Sequence, residues 1–267
     1  MRTAAHRIAA SVRRHPTPTY AMLGWWDADH TDLSADAAAV ASWVDRSGSG
    51  RTLTQATGAN QPTYRQFGLY GQHAVRGDGS NDRISNTSSA PFAGREQACQ
   101  QIVFASGTAQ TNRYYIGQAE ATVGSNGIDT RFGGTAQSTW TAKTNSSSAA
   151  INLGTLYDTA ARPVATECHV DLTRSSSDLV GMGSSTGFNH ATLAGATLDA
   201  SAGEFTLFDF GSGAFSAPAS IDIHEMSLLT RPPGLGERRR WWRYIVRRWK
   251  ASPAQGAWNA GGSAQVF

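Results

Sequence analysis

The segment at residues 220–225, SIDIHE, carries two carboxylic acids three positions apart, at Asp222 and Glu225. Retaining glycoside hydrolysis needs two carboxyl groups about 5 Å apart, one to attack the sugar and one to donate a proton. Because side chains alternate along a strand, residues 220 and 222 would share one face, and a small bulge would have to bring Glu225 round to it. We expect a sheet strand here, with Glu225 in a structural hydrogen bond.

Exposed aromatic rings are natural sugar-binding groups, because a pyranose face stacks on Trp or Tyr while loop Asn, Asp and Gln side chains fix the hydroxyl groups. Several such residues occur in the middle of the chain. The candidates for carbohydrate binding are Trp140, Tyr114, Tyr115 and Asn126. By contrast, we expect three tryptophans near the start of the body to seal the core: Trp25, Trp26 and Trp43.

The turn at residues 77–82, GDGSND, offers hard oxygen ligands of the kind that Ca²⁺ prefers. The candidate metal ligands are Asp78, Asn81 and Asp82. Three oxygens are too few to specify a calcium cage, and acidic turn residues more commonly cap their own backbone. The sequence therefore predicts no cofactor, with Ca²⁺ as the alternative. The two cysteines, Cys99 and Cys168, lack a C-x-x-C partner and are expected to be small core residues.

Basic residues are concentrated at the two ends of the chain. Residues 1–14 and 235–250 hold 11 of the 23 Lys and Arg residues but only one of the 20 acids, so the body between them is net acidic. An acidic body argues against nucleic-acid binding, whereas two basic ends suggest attachment to an acidic surface or partner. Solvated helix faces explain the same charges equally well. The candidate docking residues are Arg7, Arg13, Arg14, Trp258 and Phe267.

The N-terminal residues combine a helical pattern with arginines. Apolar residues recur at helical spacing over residues 1–14, and Pro16 and Pro18 end the pattern, which predicts a short basic helical arm that docks on a partner such as a neighbouring subunit. The start has no apolar segment typical of a secretory signal, and no run of about 18 apolar residues follows it, so we expect no membrane insertion.

Short strand candidates recur along the body with polar or glycine breaks between them. They lie at residues 100–105, 113–116, 128–132, 139–143, 151–157, 164–172, 178–182, 204–210 and 221–229. Regular short strands of this kind favour two antiparallel sheets packed face to face. The segment at residues 175–190 is low in hydrophobic residues and is expected to be a loop-rich excursion.

Residues 235–250, LGERRRWWRYIVRRWK, change to a helical period. Trp242, Ile245, Val246 and Trp249 fall at i, i+3, i+4 and i+7, with Glu237 in the first turn and cations towards the end. The pattern predicts an α-helix. Its basic amphipathic form would also suit a membrane surface.

Five segments together resemble one family. Residues 68–85 follow G-L-x-G-x-x-A-V-R-F-D-G-S-x-D-x-I, except that Gly77 stands where the pattern has phenylalanine. Residues 23–28 and 40–51 resemble L-W-L-D-A and V-x-x-W-x-D-x-S-G-N-G-R, and residues 60–64 match N-Q-P-T-Y. The family often ends with L-S-x-x-E-R-x-x-x-x-x-Y-L-x-x-K-W. In the C-terminal helix, the residues that fit this ending are Glu237, Arg238, Tyr244 and Trp249. The chain thus resembles concanavalin A-like domains of the LamG-like, bacterial and phage type.

The resemblance implies an all-β fold, a two-sheet antiparallel jelly-roll sandwich with a C-terminal α-helix packed across it by its apolar face. The turn pattern of residues 68–85 by itself, with a glycine- and acid-rich corner at residues 77–82 before Ile84, predicts a β-hairpin corner. Related β-glucanases carry E-[IL]-D-x-x-E, with the nucleophile first, and Ser220 stands at that position here. Because a serine cannot replace the attacking carboxylate, we expect a protein that is not an enzyme.

We expect residues 21–250 to form one LamG-like domain, with an arm at 1–20 and a tail at 251–267. The resemblance implies a non-catalytic structural and binding protein of a phage particle, such as a head decoration, spike or tail-fibre component. Its expected partners are other virion proteins, further copies of itself and a host-surface glycan, without nucleic acid. The alternatives are an extracellular glycan-active enzyme and a bacterial surface adhesin, at the cell surface or secreted.

Overall fold

The structure of the chain is a computed structural model. It describes residues 15–17, 21–30, 35–86, 90–107, 113–119, 128–132, 137–144, 148–155, 163–173, 178–183, 187–195, 197–198, 204–208 and 219–251. The predicted N-terminal helical arm lies outside these residues, except for residues 15–17 next to it.

The described part of the chain is mainly β-structure. Its strands are β1 (Met22–Asp27), β2 (Ser42–Trp43), β3 (Leu53–Thr54), β4 (Thr63–Arg65), β5 (Ala74–Arg76), β6 (Ile84–Asn86), β7 (Gln97–Ala105), β8 (Arg113–Ala119), β9 (Ile128–Phe132), β10 (Gln137–Lys143), β11 (Ser148–Thr155), β12 (Val164–Asp171), β13 (Asp178–Gly183), β14 (Gly187–Thr192), β15 (Glu204–Leu207) and β16 (Asp222–Leu229). Its helices are α1 (Leu235–Trp249) and three short 3-10 turns, Ala28–His30, Gly58–Asn60 and Leu69–Gly71.

The strands form two antiparallel sheets. Sheet I has the order β14-β13-β12-β7-β16-β5-β4, with β1 also paired to β16. Sheet II has the order β11-β10-β9-β8-β15-β6-β3-β2. The predicted fold class, two antiparallel sheets followed by a C-terminal helix, is confirmed. The predicted domain boundaries stay a prediction.

Apolar side chains from both sheets meet in the core. Trp26 of β1 stacks on Phe205 of β15, with ring centroids 5.7 Å apart and ring planes 18° apart, so this pair joins the two sheets directly. The expected burial of the three tryptophans is confirmed, because Trp26 and Trp43 are fully buried and Trp25 is 5% exposed. Both cysteines are buried as predicted.

Helix α1 covers the outer face of sheet I. Its buried residues are Trp241, Trp242, Ile245 and Trp249, and they pack against Val103 of β7 and Ala165 of β12. The helix therefore packs on the sandwich by its apolar face, as the resemblance implies, except that Val246 of the predicted face is 39% exposed and Trp241 is buried in addition. It ends one residue earlier than predicted, because Lys250 adopts a left-handed conformation with φ 52°.

Residues 68–85 do not form the predicted β-hairpin corner. β5 pairs with β4 and β16 in sheet I, whereas β6 pairs with β3 and β15 in sheet II, so this segment carries the chain from one sheet to the other. A Cβ atom at Gly77 would lie 2.5 Å from Cδ1 of Phe208 and 2.6 Å from the carbonyl oxygen of Ala219. The buried Phe208 ring fills the space beside residue 77, which explains the glycine at this departure from the family pattern.

The loop-rich excursion predicted for residues 175–190 is also wrong in part. β13 and β14 pair along their length as a hairpin at the edge of sheet I. Backbone hydrogen bonds hold such an edge hairpin, so its low hydrophobic content was a poor guide. Residues 183–187, GSSTG, fit the G-x-S-x-G pattern, but they join two paired strands and not the strand and helix that a nucleophile elbow requires.

The loop at residues 45–51 is organised around one carboxylate. Asp45 accepts hydrogen bonds from the backbone N–H groups of Trp25, Ser47 and Arg51 at 2.8–3.0 Å, and from the hydroxyl of Ser49 at 2.6 Å. Burial acts to raise the pKa of Asp45, but these hydrogen bonds outweigh it and lower the pKa below its ordinary value. The D-x-S-G-x-G-R string is therefore a structural turn in this chain.

Candidate functional site

The residues predicted to bind sugar belong to sheet II. Tyr114 and Tyr115 are part of β8 and Trp140 is part of β10, with β9 between the two strands. Asn126 lies outside the described residues, and so do the side chains of the other three. Sugar binding by these four residues therefore stays a prediction.

All five predicted docking residues lie outside the described part of the chain: Arg7, Arg13, Arg14, Trp258 and Phe267. Docking through them stays a prediction. Among the described residues, no helix combines the length and the apolar character needed to cross a membrane.

The turn at residues 78–82 is built by its own side chains. Asp82 Oδ2 accepts a hydrogen bond from the N–H of Asp78 at 2.8 Å, and Asp78 Oδ1 accepts from the N–H groups of Ser80 and Asn81 at 2.7 and 3.2 Å. Burial raises the pKa of Asp82 to about 6, and the nearby Asp78 carboxylate adds to the rise. The candidate calcium ligands thus cap backbone groups. Within the described residues, no group of three or more His, Cys, Asp or Glu side chains is arranged to hold a metal ion.

Calcium binding at this turn can be tested by thermal unfolding. If the carboxylates serve only the turn, adding CaCl₂ to EDTA-treated protein should leave the Tm unchanged, because a ligand raises the Tm only when it binds the folded state. Asp82→Ala should lower the free energy of unfolding by about 1–2 kcal/mol with or without CaCl₂, since the N–H of Asp78 loses its acceptor. A Tm that rises with Ca²⁺ in the parent protein but not in Asp82→Ala would identify a calcium site.

The acids of the SIDIHE string hold other elements in position. Asp222 is fully buried, and Arg76 donates to it from Nε and Nη2 at 2.5 and 2.8 Å. The N–H of Leu69 donates to Asp222 Oδ2 at 2.5 Å. The strand register shifts between Ile223 and Glu225, where a catalytic arrangement of the two acids would require a bulge. Ser220 is exposed, so the two acids and the serine do not share one accessible face.

Glu225 lies beneath α1 and is 2% exposed. It accepts hydrogen bonds from the indole Nε1 of Trp25 at 3.1 Å, the indole Nε1 of Trp249 at 2.6 Å and the hydroxyl of Tyr244 at 3.0 Å. The expected structural role of Glu225 is confirmed, with three donors on one carboxyl group. These contacts tie the C-terminal end of α1 to β16 and β1.

At this end of α1, one guanidinium group lies close to three carboxyl groups. Arg248, whose side chain is 3% exposed, lies 2.5 Å from Asp27, 3.0 Å from Asp29 and 3.7 Å from Glu225. We call these four residues the buried ion cluster. Burial raises the pKa of Glu225 to about 8, and the neighbouring Asp27 adds to the rise. His15 Nε2 lies 3.6 Å from Glu225, and burial lowers the pKa of His15 to about 3.

Between β4 and β5, the loop at residues 66–72, QFGLYGQ, presents two aromatic side chains to solvent. Phe67 is 72% exposed and Tyr70 is 45% exposed. We call this segment the aromatic loop. Exposed large apolar groups that lie close together mark surfaces for binding more often than isolated ones do. Two aromatic side chains within four residues make this loop the best candidate for a functional site in the described part of the chain.

Short contacts to its own backbone and to β16 hold the aromatic loop in place. The N–H of Gly68 donates to the carbonyl oxygen of Gln72 at 2.9 Å, and the N–H of Leu69 donates to Asp222 Oδ2 at 2.5 Å. A Cβ atom at Gly68 would lie 2.6 Å from Asp222 Oδ2, so the close approach to this carboxylate requires glycine. A loop that is already ordered loses less entropy when a ligand binds to it.

Polar side chains border the aromatic loop at both ends. Before it, Asp36 accepts a hydrogen bond from the N–H of Gln66 at 2.9 Å and lies 3.4 Å from Nε of Arg65. After it, His73 lies 3.8 Å from Asp29, and the two side chains are 39% and 22% exposed. Exposed aromatic side chains with hydrogen-bonding groups at both ends of their loop suit a sugar ring, which has apolar faces and a polar edge.

Sequence reasoning did not single out Phe67 and Tyr70, although Tyr70 lies inside the string that carries the family resemblance. The available signal was two aromatic residues on either side of a glycine, in a short loop between strands. Aromatic residues near short strands usually belong to the core, and only the packed structure shows that these two do not.

No protein-family model matches the chain, and no curated protein sequence matches it. Among solved structures, the chain is similar to the ligand binding domain of botulinum neurotoxin serotype D in complex with N-acetylneuraminic acid, with a TM-score of 0.59, 9% identity, and coverage of 88% of this chain and 55% of that one. It is also similar to botulinum neurotoxin type C, whose cell entry depends on two ganglioside molecules, with a TM-score of 0.57, 8% identity, and coverage of 86% and 52%.

A third neighbour is an arabinofuranosidase complexed with arabinofuranosyl-α-1,2-xylobiose, with a TM-score of 0.50, 18% identity, and coverage of 79% of this chain and 51% of that one. The chain thus spans about half the length of these neighbours. The likeness is one of fold. It supports the antiparallel β-sandwich, and the neighbours include both glycan-binding domains and a glycosidase.

Proposed function

We propose that the chain is a non-catalytic glycan-binding protein and that the glycan stacks on Phe67 and Tyr70. The observation that carries this proposal is the exposure of these two aromatic side chains, 72% and 45%, on a loop held by β16. A sugar ring lying on the aromatic loop would bury its apolar face there. Asp36 and His73, at the two ends of the loop, are partly exposed groups able to bond its hydroxyl groups.

The fold neighbours support the same class of function by analogy. The serotype D domain holds N-acetylneuraminic acid, and the arabinofuranosidase holds an arabinofuranosyl-xylobiose. Because one fold hosts many functions, the analogy supports sugar recognition in general, and the aromatic loop supplies the argument for a particular site.

The state of the two acids supports a protein without hydrolytic activity. Asp222 is fully buried and bound by Arg76, while Glu225 is 2% exposed and bound by three donors under α1. Retaining hydrolysis requires both carboxyl groups to flank the scissile bond. A substrate would have to displace α1 to reach Glu225.

The proposal also includes a family and a location for the protein, and both rest on the sequence resemblance. We propose a LamG-like protein of a phage particle, present in several copies and in contact with other virion proteins. Such a component should co-purify with capsid or tail proteins in a fixed stoichiometry, and its absence from purified particles would rule this location out. A bacterial surface adhesin should instead be exported as a separate protein.

Loss of the two aromatic side chains should abolish glycan binding without loss of the fold. Screening the chain on a glycan array should identify a ligand, and titration calorimetry should then show at least tenfold weaker binding for Phe67→Ala/Tyr70→Ala. Because both side chains are largely in water, the free energy of unfolding should change by no more than about 0.5 kcal/mol. The matched control is Val44→Ala, an exposed apolar residue next to β2 in sheet II, which should bind normally.

Two results would contradict the proposal. Normal binding by Phe67→Ala/Tyr70→Ala together with loss of binding in Trp140→Ala would move the site to sheet II. Release of reducing sugars from a polysaccharide panel, abolished by Glu225→Gln, would make the chain an enzyme.

A further inference from the structure

Helix α1 carries a row of cations on the face that points away from sheet I. Arg239, Arg243, Arg247 and the following Lys250 are all exposed. Their spacings of four, four and three residues keep them on one side of a helix with 3.6 residues per turn. With a rise of 1.5 Å per residue, the row is about 16 Å long. We call these four residues the basic stripe.

Three other charged side chains of α1 form ion pairs, whereas Arg240 is exposed next to Arg239 and is not part of the basic stripe. Arg238 lies 2.5 Å from Glu167, Arg248 belongs to the buried ion cluster, and Glu237 lies 2.8 Å from Arg231. Within the described residues, no acidic side chain forms an ion pair with the basic stripe. The helix therefore divides its cations between internal ion pairs on one side and a field directed into solvent on the other.

This arrangement is unfavourable for the helix by itself. Like charges four residues apart repel each other and cost about 0.2–0.5 kcal/mol per pair, and the basic stripe contains two such pairs, Arg239 with Arg243 and Arg243 with Arg247. The helix dipole favours cations in the last turn, which accounts for Arg247 and Lys250 but not for Arg239 near the start. An acidic ligand along the stripe would offset this repulsion, because each cation would be attracted to the ligand.

We propose that the basic stripe binds an acidic polysaccharide that lies along α1. A linear chain with carboxylate or sulfate groups can place successive charges against successive guanidinium groups, which bind oxyanions through two parallel hydrogen bonds. The binding rests on charge complementarity along the helix and does not require the aromatic loop. The protein would then hold a glycan through charge at α1, apart from any sugar stacked on Phe67 and Tyr70.

Two other anionic partners fit this surface less well. A lipid surface would need a broad exposed apolar face beside the cations, whereas α1 exposes only Leu235 and Val246, at 48% and 39%, and its tryptophans are buried against sheet I. For a single-stranded nucleic acid, α1 has no exposed aromatic side chain on which unpaired bases could stack.

The test measures binding of a fluorescent heparin oligosaccharide to the full chain by anisotropy at several salt concentrations. Arg239→Gln/Arg243→Gln/Arg247→Gln should weaken binding about tenfold or more at about 0.15 M salt and should flatten the salt dependence by about one unit of slope per cation removed. The matched control replaces the same three residues by lysine, which keeps the charge and should keep most of the binding. Phe67→Ala/Tyr70→Ala should bind heparin normally.

The outcomes separate this inference from the proposed function. Unchanged heparin binding in the glutamine variant would overturn the inference and leave the aromatic loop unaffected. Tighter binding of the parent protein to duplex DNA or to anionic phosphatidylserine vesicles than to heparin would also overturn it. Equal loss of heparin binding in the Phe67→Ala/Tyr70→Ala variant would mean that there is one glycan site, at the aromatic loop.

Discussion

Replacing Arg248 by alanine should lower the free energy of unfolding by about 3–5 kcal/mol, the usual result of leaving buried charge without its partner. Arg248 is the cation of the buried ion cluster, with Asp27 at 2.5 Å and Asp29 at 3.0 Å. Asp27 is fully buried, so water cannot replace the lost guanidinium. Urea unfolding followed by tryptophan fluorescence should show the loss, and α1 should detach from sheet I before the sandwich unfolds.

The neighbouring residue supplies a matched control. Arg247 lies on the same helical turn but is exposed, so Arg247→Ala should change the free energy of unfolding by no more than about 0.5 kcal/mol. If Arg248→Ala does not fold, Arg248→Lys tests the same point, because it keeps the charge but loses the planar group that reaches several carboxylates at once. Equal stability of Arg247→Ala and Arg248→Ala would mean that the cluster does not hold the helix.

The second large effect is on the pH dependence of stability, which Glu225→Gln should change. Burial raises the pKa of Glu225 from an ordinary 4.5 to about 8. Between these values the folded chain keeps a proton that the unfolded chain has released. The contribution of Glu225 to stability is therefore fully present below pH 4.5 and is lost as the pH rises towards 8. Glutamine resembles the protonated acid but cannot ionise, so it should escape this loss.

The difference between the two proteins is the quantity to measure. Urea unfolding at several pH values should show Glu225→Gln gaining on the parent by about 1.4 kcal/mol per pH unit between pH 4.5 and 8, with a constant difference outside this range. His15 acts in the opposite direction, because its pKa of about 3 makes stability fall as the pH falls below 6.5, and it is present in both proteins. Parallel curves for the two proteins would mean that Glu225 is already ionised in the folded chain.

Local patterns were good guides to the elements and poor guides to their partners. The helical period of residues 235–250 predicted α1 to within one residue, and alternation predicted most strands of the two sheets. The same reasoning took residues 68–85 for a hairpin, because a turn between two short strands looks alike whether the strands pair or belong to different sheets. Their sheets are set by distant partners, since β5 pairs with β16 and β6 pairs with β15, both far later in the chain.

The candidate site also has features that the sequence predicts and features that only distant contacts decide. That Asp222 and Glu225 lie on a strand could be read from the sequence, and Ser220 already argued against a nucleophile. Their burial could not be read, since it depends on Leu69, Arg76 and α1. The exposure of Phe67 and Tyr70 was equally hidden, because an aromatic residue is buried or exposed according to what packs over it.

The amino-acid sequence by itself determined the fold class, the helix at the end of the chain and the division of charge between its basic ends and its acidic body. These depend on composition and on periods of two or 3.6 residues, which are local properties. Only the tertiary structure decided which residues are available to bind a ligand. The physical reason is that burial and ion pairing join distant residues, as with Trp25 and Glu225, 200 positions apart, and Asp29 and Arg248, 219 positions apart.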